Sequence, residues 1–558
     1  MIKKFKRTVI FCLDGATFDL ILPWIDEEIL PNLKRLMVNG VWGELESVHP
    51  PLSCPAWISF KTGKNPGKLG IFDFLVRVKN QYSLKPSMDI SKFTAFWDLL
   101  SQNDIEVGIF NLPTTYPPKK VNGFIVTSMF TPTTSSNYSY PPQLKSELNK
   151  LTNGYIIDIP QQIYLNKEQK FISDIDKLLI QRKKVILYLL KKYNPQLFII
   201  TFTSSDRIQH YMWKHMDVNH PDYNPKVSPK YQNSIRNYWR KLDSILGEII
   251  SNFNKEDNIF IISDHGFGIQ DIKFNINDWL VNKSFLKIKK QKKNILSKIG
   301  ISSESILKFL SKLQIFDFIA KFLLRFINKR SLFKLYEKLS FKYIPFDKMK
   351  EKINWDNTVA YSLNHSNPFN HIYINVKGRD PNGIVESDEY DSIRRKIIKE
   401  LLNLNKTTLN GKRIDIEILK QDNIYSGPFV NKAPDIIFTI NKGAGVSVNS
   451  FGHNKLIEEG SIGLNQNASH RMNGIFIAYG KDIDKNKKIY NAKITDIAPT
   501  ILHMFSIPIP DDIDGEVLMD IFKEKSVFRT NKVIYFKPED EKYRIKRKIV
   551  ELKESGKI

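Results

Sequence analysis

TVIFCLDG, residues 8–15, is a run of apolar and β-branched residues that ends abruptly in an acidic side chain. Two later stretches have the same form, LFIITFTSSD (197–206) and NIFIISDHG (258–266), and GIFIAYG (474–480) is a fourth apolar run. Apolar runs of this length without alternation are typical of strands buried on both faces. Together they predict an α/β fold with a mostly parallel central sheet and helices on both faces.

Helical patterns lie between these strands. In IRNYWRKLDSILGEIISNF (235–253) the apolar residues recur at intervals of three and four and form one face, namely Leu242, Ile245, Leu246, Ile249, Ile250 and Phe253. Ligands of such sheets bind at the carboxyl ends of the strands. Asp14, Asp206 and Asp264 fall there.

Charge is unevenly distributed along the 558 residues, whose formal net charge is +25. Segment 283–350 contains eighteen Lys and Arg against four Asp and Glu, so it carries +14 of that excess. Such a balance favours an anionic partner, and a 42% hydrophobic content is sufficient for one large core or two ordinary ones.

The sequence therefore divides into four predicted parts. Residues 1–280 and 351–525 form the two parts of an α/β catalytic core, 281–350 a basic helical insertion or cap, and 526–558 a basic C-terminal tail. The insertion has two interpretations. In the first, its lysines form a solvated face. In the second, its apolar stripe and the flanking basic residues recruit an anionic partner, by lying on an acidic membrane surface or by covering the substrate.

Cysteine usage and hydropathy predict a cytoplasmic protein, with peripheral membrane contact through the insertion as an alternative. Cys12 and Cys54 are too few for a disulfide framework. The apolar run Val9–Leu13 is too short for a secretory signal, and the longest apolar segment, 313–327, is interrupted by charged residues.

Two acid–histidine pairs are candidate metal ligands. Asp206 and His210 are one helical turn apart, although a capping Asp and a surface His would give the same spacing. Asp264 and His265 end a predicted strand directly before a glycine, which is unusual for residues that only pack. Carboxylate and imidazole together suit zinc or a similar divalent ion.

The stretch HPPLSCPAWISFKTGKNPGKLGIFDF (49–74) supplies a candidate nucleophile. Pro55 fits the first turn of a helix, which places Ser53 at or just before the amino end. There the positive end of the helix favours an alkoxide and a phosphoryl group. The alternative is an ordinary turn that enters a core helix.

Six stretches in this order resemble the alkaline phosphatase superfamily, and within it the type I phosphodiesterase and nucleotide pyrophosphatase branch. They are VIFCLDGAT, LSCPAWISFKTGKNPGKLGIFDF, TSSDRIQH, ISDHGFG, SHRMNGIFIAYG and TDIAPTILHMFSIPIPDDIDG. The resemblance covers roughly residues 7–130, 195–275 and 355–520.

The resemblance implies two divalent metal ions, zinc or alternatively manganese. One ion would be held by Asp14, Ser53, Asp264 and His265. The other would be held by Asp206, His210 and His470, of which His470 follows from the resemblance alone.

The sequence departs from the family pattern at three places. Ser53 stands where many members of the branch have Thr. Asp73 and Phe74 occupy the region where nucleotide pyrophosphatases often place an Asn that holds a phosphoryl oxygen. Trp57 replaces the Arg of the sulfatase pattern, which argues against formylglycine chemistry and leaves Cys54 as a small buried residue.

The resulting prediction is a metal-dependent hydrolase that cleaves an anionic phosphodiester or phosphoanhydride through a phosphoserine at Ser53. The alternative within the superfamily is a phosphomonoesterase or phosphomutase. A different class of function is a basic membrane- or polyanion-binding protein with a structural metal site; nucleic acid is not an expected partner.

Overall fold

The computed structural model describes residues 7–78, 81–82, 84–86, 92–289, 350–363, 369–462 and 466–538. Most of the predicted insertion 281–350 and residues 539–558 of the predicted tail lie outside the described residues. The four-part division of the chain, the apolar stripe of the insertion and its membrane contact therefore stay predictions.

The described strands fall into one large sheet and several small ones. In chain order they are β1 (Thr8–Leu13), β2 (Val41–Glu46), β3 (Leu75–Arg77), β4 (Leu84–Pro86), β5 (Val107–Leu112), β6 (Gly123–Thr127), β7 (Ser139–Tyr140), β8 (Leu197–Phe202), β9 (Asn258–Ile262), β10 (Gly266–Ile269), β11 (Ile272–Asn275), β12 (Ala360–Tyr361), β13 (Asn370–Ile374), β14 (Thr408–Leu409), β15 (Lys412–Arg413), β16 (Ile416–Leu419), β17 (Ile436–Ile440), β18 (Gly445–Val448), β19 (Ile457–Glu459), β20 (Ala468–Arg471), β21 (Asn473–Tyr479), β22 (Lys487–Lys488), β23 (Ala492–Lys493), β24 (Ile509–Pro510) and β25 (Tyr535–Phe536).

The α-helices of the described residues lie between the strands of the large sheet and of the smaller ones. They are α1 (Phe18–Asp26), α2 (Pro31–Val38), α3 (Ser53–Thr62), α4 (Pro66–Leu69), α5 (Phe96–Gln102), α6 (Leu144–Thr152), α7 (Glu168–Tyr193), α8 (Ser204–Met216), α9 (Ser234–Ile250), α10 (Ile276–Asn282), α11 (Tyr390–Leu402), α12 (Gln421–Ile424), α13 (Ile497–Met504) and α14 (Val527–Thr530). Within the described residues, every helix is too short or too polar to span a bilayer.

The central sheet has ten strands, and its middle is parallel. Strands β9, β1, β8, β5 and β6 are neighbours in that order and all run in the same direction. Antiparallel strands extend the sheet on both sides, β21 next to β9 and β7 next to β6. The predicted fold class, a mostly parallel α/β sheet, is confirmed.

Both faces of this sheet are covered, as the unbroken apolar runs predict. Along β1, Val9, Phe11 and Leu13 belong to one hydrophobic core, whereas Ile10 and Cys12 belong to another. Helices α7 and α9 pack in the first core, and α3 and α13 pack in the second. Because successive side chains of a strand point to opposite faces, two cores along one strand mean helices on both faces.

A second, smaller sheet follows the insertion in the chain. Strands β12, β13, β17 and β16 pair antiparallel in that order. The sheet has its own hydrophobic core, to which α10 contributes Trp279 and α11 contributes Ile397 and Leu401. After this sheet, β21 returns the chain to the edge of the parallel strands.

Register brings the carboxyl ends of three strands together. Cys12 of β1 lies opposite Thr201 of β8 on one side and opposite Ile262 of β9 on the other. The residues that follow these strands therefore meet at one edge of the sheet.

Candidate metal centre beside Ser53

Asp14 follows β1 directly, at a sharp turn. Gly15 has a φ of +70°, and a side chain there would place its Cβ 2.8 Å from the ring of Phe267. Glycine is therefore required by both the backbone conformation and the lack of space. The turn holds the Asp14 carboxylate in the interior, where the Trp57 indole donates to its Oδ2 atom at 3.4 Å.

Ser53 is the first residue of α3, a helix whose ten residues are all buried. The first backbone bond of the helix runs from the Ala56 amide to the Leu52 carbonyl, and Pro55 has no N–H. The helix therefore leaves the amides of Ser53 and Cys54 for an acceptor outside it. The sequence placed Ser53 at or just before the cap; the cap is Leu52 and Ser53 follows it.

Ser53 lies in a first group of polar side chains with Asp14, Asp264 and His265. The Nε2 atom of His265 is 3.3 Å from the Ser53 Oγ atom, 3.3 Å from Oδ2 of Asp264 and 3.5 Å from Oδ1 of Asp14. Four potential ligand atoms from three separate parts of the chain thus converge.

A second group consists of Asp206, His210 and His470. The two imidazole Nε2 atoms are 3.0 Å apart, and each is 3.3 Å from Oδ1 of Asp206. Ligand atoms of Asp206 also lie within 4.8 Å of those of Asp14 and His265, so the two groups adjoin.

Backbone carbonyls fix the orientation of the three imidazoles. The Nδ1 atom of His210 lies 2.8 Å from the carbonyl oxygen of Ala468, that of His470 lies 2.9 Å from Pro51, and that of His265 lies 3.0 Å from Gly266. A carbonyl oxygen only accepts, so each Nδ1 carries the proton and donates. Each Nε2 atom therefore presents a lone pair to the group.

Lone pairs that face carboxylates repel them unless a proton or a metal cation lies between. One oxygen in each of three buried carboxylates, Asp14 Oδ1, Asp206 Oδ1 and Asp264 Oδ2, has no hydrogen-bond partner. Ligand atoms about 2.1 Å from a tetrahedral zinc ion are about 3.4 Å from one another, and the contacts above span 3.0–3.5 Å. The donor set fits divalent metal ions in both chemistry and spacing.

The protein alone does not stabilise three ionised carboxylates at this site. Burial raises the pKa of Asp14 and of Asp264 well above the usual range, and the charges of neighbouring carboxylates raise both further. Burial also opposes ionisation of Asp206; a proton on Nε2 of His210 or His470 would outweigh it and hold that pKa well below its usual value, and a cation bound there would act in the same direction. Burial lowers the pKa of His265 and His470, which keeps these imidazoles neutral.

Arg207 is a contributor to the site that the sequence did not single out. Its guanidinium is 3.3 Å from Oδ2 of Asp206 and 2.9 Å from Oδ2 of Asp158. The Thr203 hydroxyl donates to the other oxygen of Asp158 at 3.4 Å. Arg207 thus occupies the Asp206 oxygen that faces away from the histidines. The one indication in the sequence was that Arg207 directly follows Asp206. Its second partner, Asp158, lies in a loop that no sequence pattern connects with the site.

All seven side chains predicted from the sequence lie in these two groups: Asp14, Ser53, Asp206, His210, Asp264, His265 and His470. Their roles as ligands and nucleophile stay predictions. Cys54 is fully buried, as predicted. Asp73 lies outside both groups and lines a cavity of about 710 Å³ whose wall includes Pro50.

Comparison with known proteins agrees with the resemblance seen in the sequence. The family model for type I phosphodiesterase/nucleotide pyrophosphatase matches residues 8–316, more than half of the chain. Among solved structures, human ectonucleotide pyrophosphatase/phosphodiesterase 5 aligns with 12% identity and a TM-score of 0.47, covering 93% of this chain and 100% of that chain. An inactive form of the murine counterpart in complex with AMP gives the same values. No curated protein matches the chain in sequence.

Proposed function

Because the chain belongs to the type I phosphodiesterase/nucleotide pyrophosphatase family, and is therefore a phosphodiester hydrolase, we propose that it cleaves its substrate with the Ser53 hydroxyl as nucleophile and with divalent metal ions as cofactors. One observation carries this proposal. Three histidine lone pairs and three unpartnered carboxylate oxygens converge beside a serine at the amino end of a buried helix.

We assign the ligands of two cations to the two groups. Asp14, Ser53, Asp264 and His265 would hold one, and Asp206, His210 and His470 the other, with zinc as the first candidate and manganese as the second. When bound, the cations would stabilise negative charge on the Ser53 oxygen and on the phosphoryl oxygens. Asp206 lies between the two groups and would keep them adjacent.

The side chains of the protein then have defined tasks. The Ser53 oxygen forms a bond to phosphorus as the bond to the first leaving oxygen breaks, and the Ser53 proton passes to solvent or to that oxygen, which departs as an alcohol or alkoxide. Water next attacks the phosphoserine, and the Ser53–phosphorus bond breaks to regenerate the hydroxyl. The free amides at the start of α3 point their N–H groups towards the phosphoryl oxygens. The carbonyls of Ala468, Pro51 and Gly266 keep the imidazoles in the tautomer that a ligand needs.

A pair of generic substrates tests the reaction. We expect bis(4-nitrophenyl) phosphate to be hydrolysed faster than 4-nitrophenyl phosphate after supplementation with zinc or manganese, and a chelator to abolish both activities. Faster hydrolysis of the monoester would favour the phosphomonoesterase alternative. No hydrolysis of either ester with any divalent ion would contradict the proposal.

Two serine variants of the same helix test the nucleophile. Ser53→Ala should lower kcat by at least about 10³-fold, because the attacking oxygen is removed. Ser59→Ala is the matched control: its hydroxyl is also buried in α3 but has no hydrogen-bond partner. Near-normal turnover of Ser53→Ala would exclude the covalent mechanism.

Fractionation of cells that express the full chain tests the proposed cytoplasmic location.

A further inference from the structure

His220 is a buried histidine that belongs to neither ligand group. It lies in the loop 217–233 between α8 and α9 and is 3% exposed. Its Nδ1 atom accepts from the Asp222 amide at 3.0 Å, and its Nε2 atom lies 2.6 Å from the carbonyl oxygen of Asn467. An amide only donates and a carbonyl only accepts, so Nε2 carries the proton. His220 therefore has the opposite tautomer to the three imidazoles of the ligand groups, and both of its ring nitrogens are already in use.

Asn467 connects His220 with the second ligand group. It lies directly before β20, three residues before His470, and is 4% exposed. Its backbone N–H donates to the His210 carbonyl at 2.8 Å, and its side-chain Nδ2 atom donates to the Tyr211 carbonyl at 2.9 Å. Together with the bond that its own carbonyl accepts from His220, these contacts fasten Asn467 to α8 and to the loop that follows α8.

Ser461 and Asp222 extend the same network. The Ser461 amide donates to the Asp222 carboxylate at 3.2 Å, and the Ser461 hydroxyl lies 3.3 Å from Oδ1 of Asn467. The Asp222 amide is the group that donates to His220. The loop 217–233 is thus bonded both to Ser461 and to Asn467. A buried polar network whose members are paired holds one arrangement.

The start of β20 contains two parts that the second ligand group needs. The Ala468 carbonyl accepts from Nδ1 of His210 at 2.8 Å, and His470 supplies one of the three ligand atoms. Pairing with β10 holds β20 along its length, and the contacts of Asn467 hold its start against α8. If Asn467 shifted, the acceptor that orients His210 would move, and His470 would move with it relative to Asp206.

The first ligand group does not share this connection. Within the part of the chain that the structure describes, neither His220 nor Asn467 forms a hydrogen bond with a residue of that group. A change at either residue should therefore act on the second group selectively.

We propose that His220 and Asn467 are positioning residues of the second ligand group. They hold the start of β20 against α8, so that the imidazoles of that group face Asp206 at the spacing that a divalent ion needs. This inference rests on the proposed function, because it concerns the cation assigned to Asp206, His210 and His470.

Zinc titration of the metal-free full chain, in competition with a chromogenic chelator, tests the positioning. We expect the wild-type chain to bind two zinc ions. His220→Leu should weaken one of them about 10- to 100-fold, as expected for residues that orient a ligand, and should leave the other unchanged. His220→Gln should recover most of the lost affinity, because its side-chain amide can donate to the same carbonyl. Asn467→Ala keeps the backbone bonds and should weaken the same ion less.

His503→Leu is the matched control. His503 is 7% exposed, and its Nε2 atom donates to the Phe528 carbonyl at 2.7 Å. This is a bond of the same kind that involves no residue of either ligand group. We expect both leucine variants to unfold at lower urea concentration than the wild type, and only His220→Leu to lose zinc affinity.

The zinc affinities and the ester assays separate this inference from the proposed function. Unchanged zinc affinity in His220→Leu, an equal loss in His503→Leu, or a loss that His220→Gln does not recover would overturn the inference. If His220→Leu does not fold, Asn467→Ala replaces it, and unchanged zinc affinity there has the same meaning. Two bound zinc ions in a wild-type chain that hydrolyses neither nitrophenyl ester would contradict the proposed function, while the variants still decide the positioning. No binding of zinc or manganese by the wild-type chain would overturn both.

Discussion

Replacing Arg207 by Met should reveal how the protein balances the charge of its proposed metal centre. The Arg207 guanidinium lies between Asp206 and Asp158, 3.3 Å and 2.9 Å from their carboxylates, and the three side chains are between 5% and 16% exposed. Met has a similar length and no charge. The substitution therefore removes the cation and leaves two almost buried carboxylates without their ion pair.

The expected loss depends on whether metal is present. Removing one partner of a buried ion pair costs about 3–5 kcal/mol, and the slight exposure of these groups places Arg207→Met near the lower end. Metal-free protein should therefore lose about 3 kcal/mol of its free energy of unfolding. Divalent cations bound at the proposed site would compensate the same carboxylates, so saturating zinc should recover part of that loss. Because Asp206 loses its support, the metal affinity should fall about 10- to 100-fold.

Urea denaturation in chelator and in zinc, with competition against a chromogenic chelator, measures both quantities. Arg207→Lys is the control: it restores the charge but not the two-pronged geometry, and should recover stability better than metal affinity. This account of Arg207 would be refuted if Arg207→Met kept its metal affinity and lost less than about 1 kcal/mol of its free energy of unfolding in chelator. A loss that small is typical of a surface ion pair.

Three further substitutions test other parts of the structure. Asp264→Asn and His470→Ala should each lower the zinc content measured by elemental analysis, one in each ligand group, and unchanged stoichiometry for both would contradict the assignment. Burial, and then the charge of Lys119, lowers the pKa of Lys61 from 10.5 to about 7. The unfolded chain therefore binds one more proton between these values. The free energy of unfolding should then rise by up to about 1.4 kcal/mol per pH unit from pH 7 to 10.5. Lys61→Met should abolish this rise in urea titrations at a series of pH values.

The parallel core of the fold could be predicted from the sequence because its physical signal is local. Strands β1, β8 and β9 are short apolar runs without alternation, and a run of this kind is stable only when both faces are covered. The acidic residues after these strands marked the edge where ligands collect. The helix at 235–253 was equally clear from its apolar face, and α9 occupies Ser234–Ile250.

Other features depend on pairings that no local pattern contains. Arg207 meets Asp158 across 49 residues, and Arg77 meets Asp380 across 303. The cavity lined by Asp73 forms only because the hairpin of β3 and β4 packs on a sheet from the other half of the chain. His470 was found through a family resemblance, because a single histidine near a strand carries no signal of its own. Asp206, which lies close to both ligand groups, was assigned to one from the sequence.

The hydrogen bond from His470 to the Pro51 carbonyl, which spans 419 residues, has a consequence for biosynthesis. A ribosome that adds about 5–20 residues per second completes the ligands of the first group long before it reaches β20. During that interval Asp206 and His210 are present without His470, and the carbonyl of Ala468 that orients His210 has not been synthesised. The second proposed cation would therefore bind only after residues 468–470 have been made, and a chain truncated before Ala468 would lack His470 and the carbonyl that orients His210.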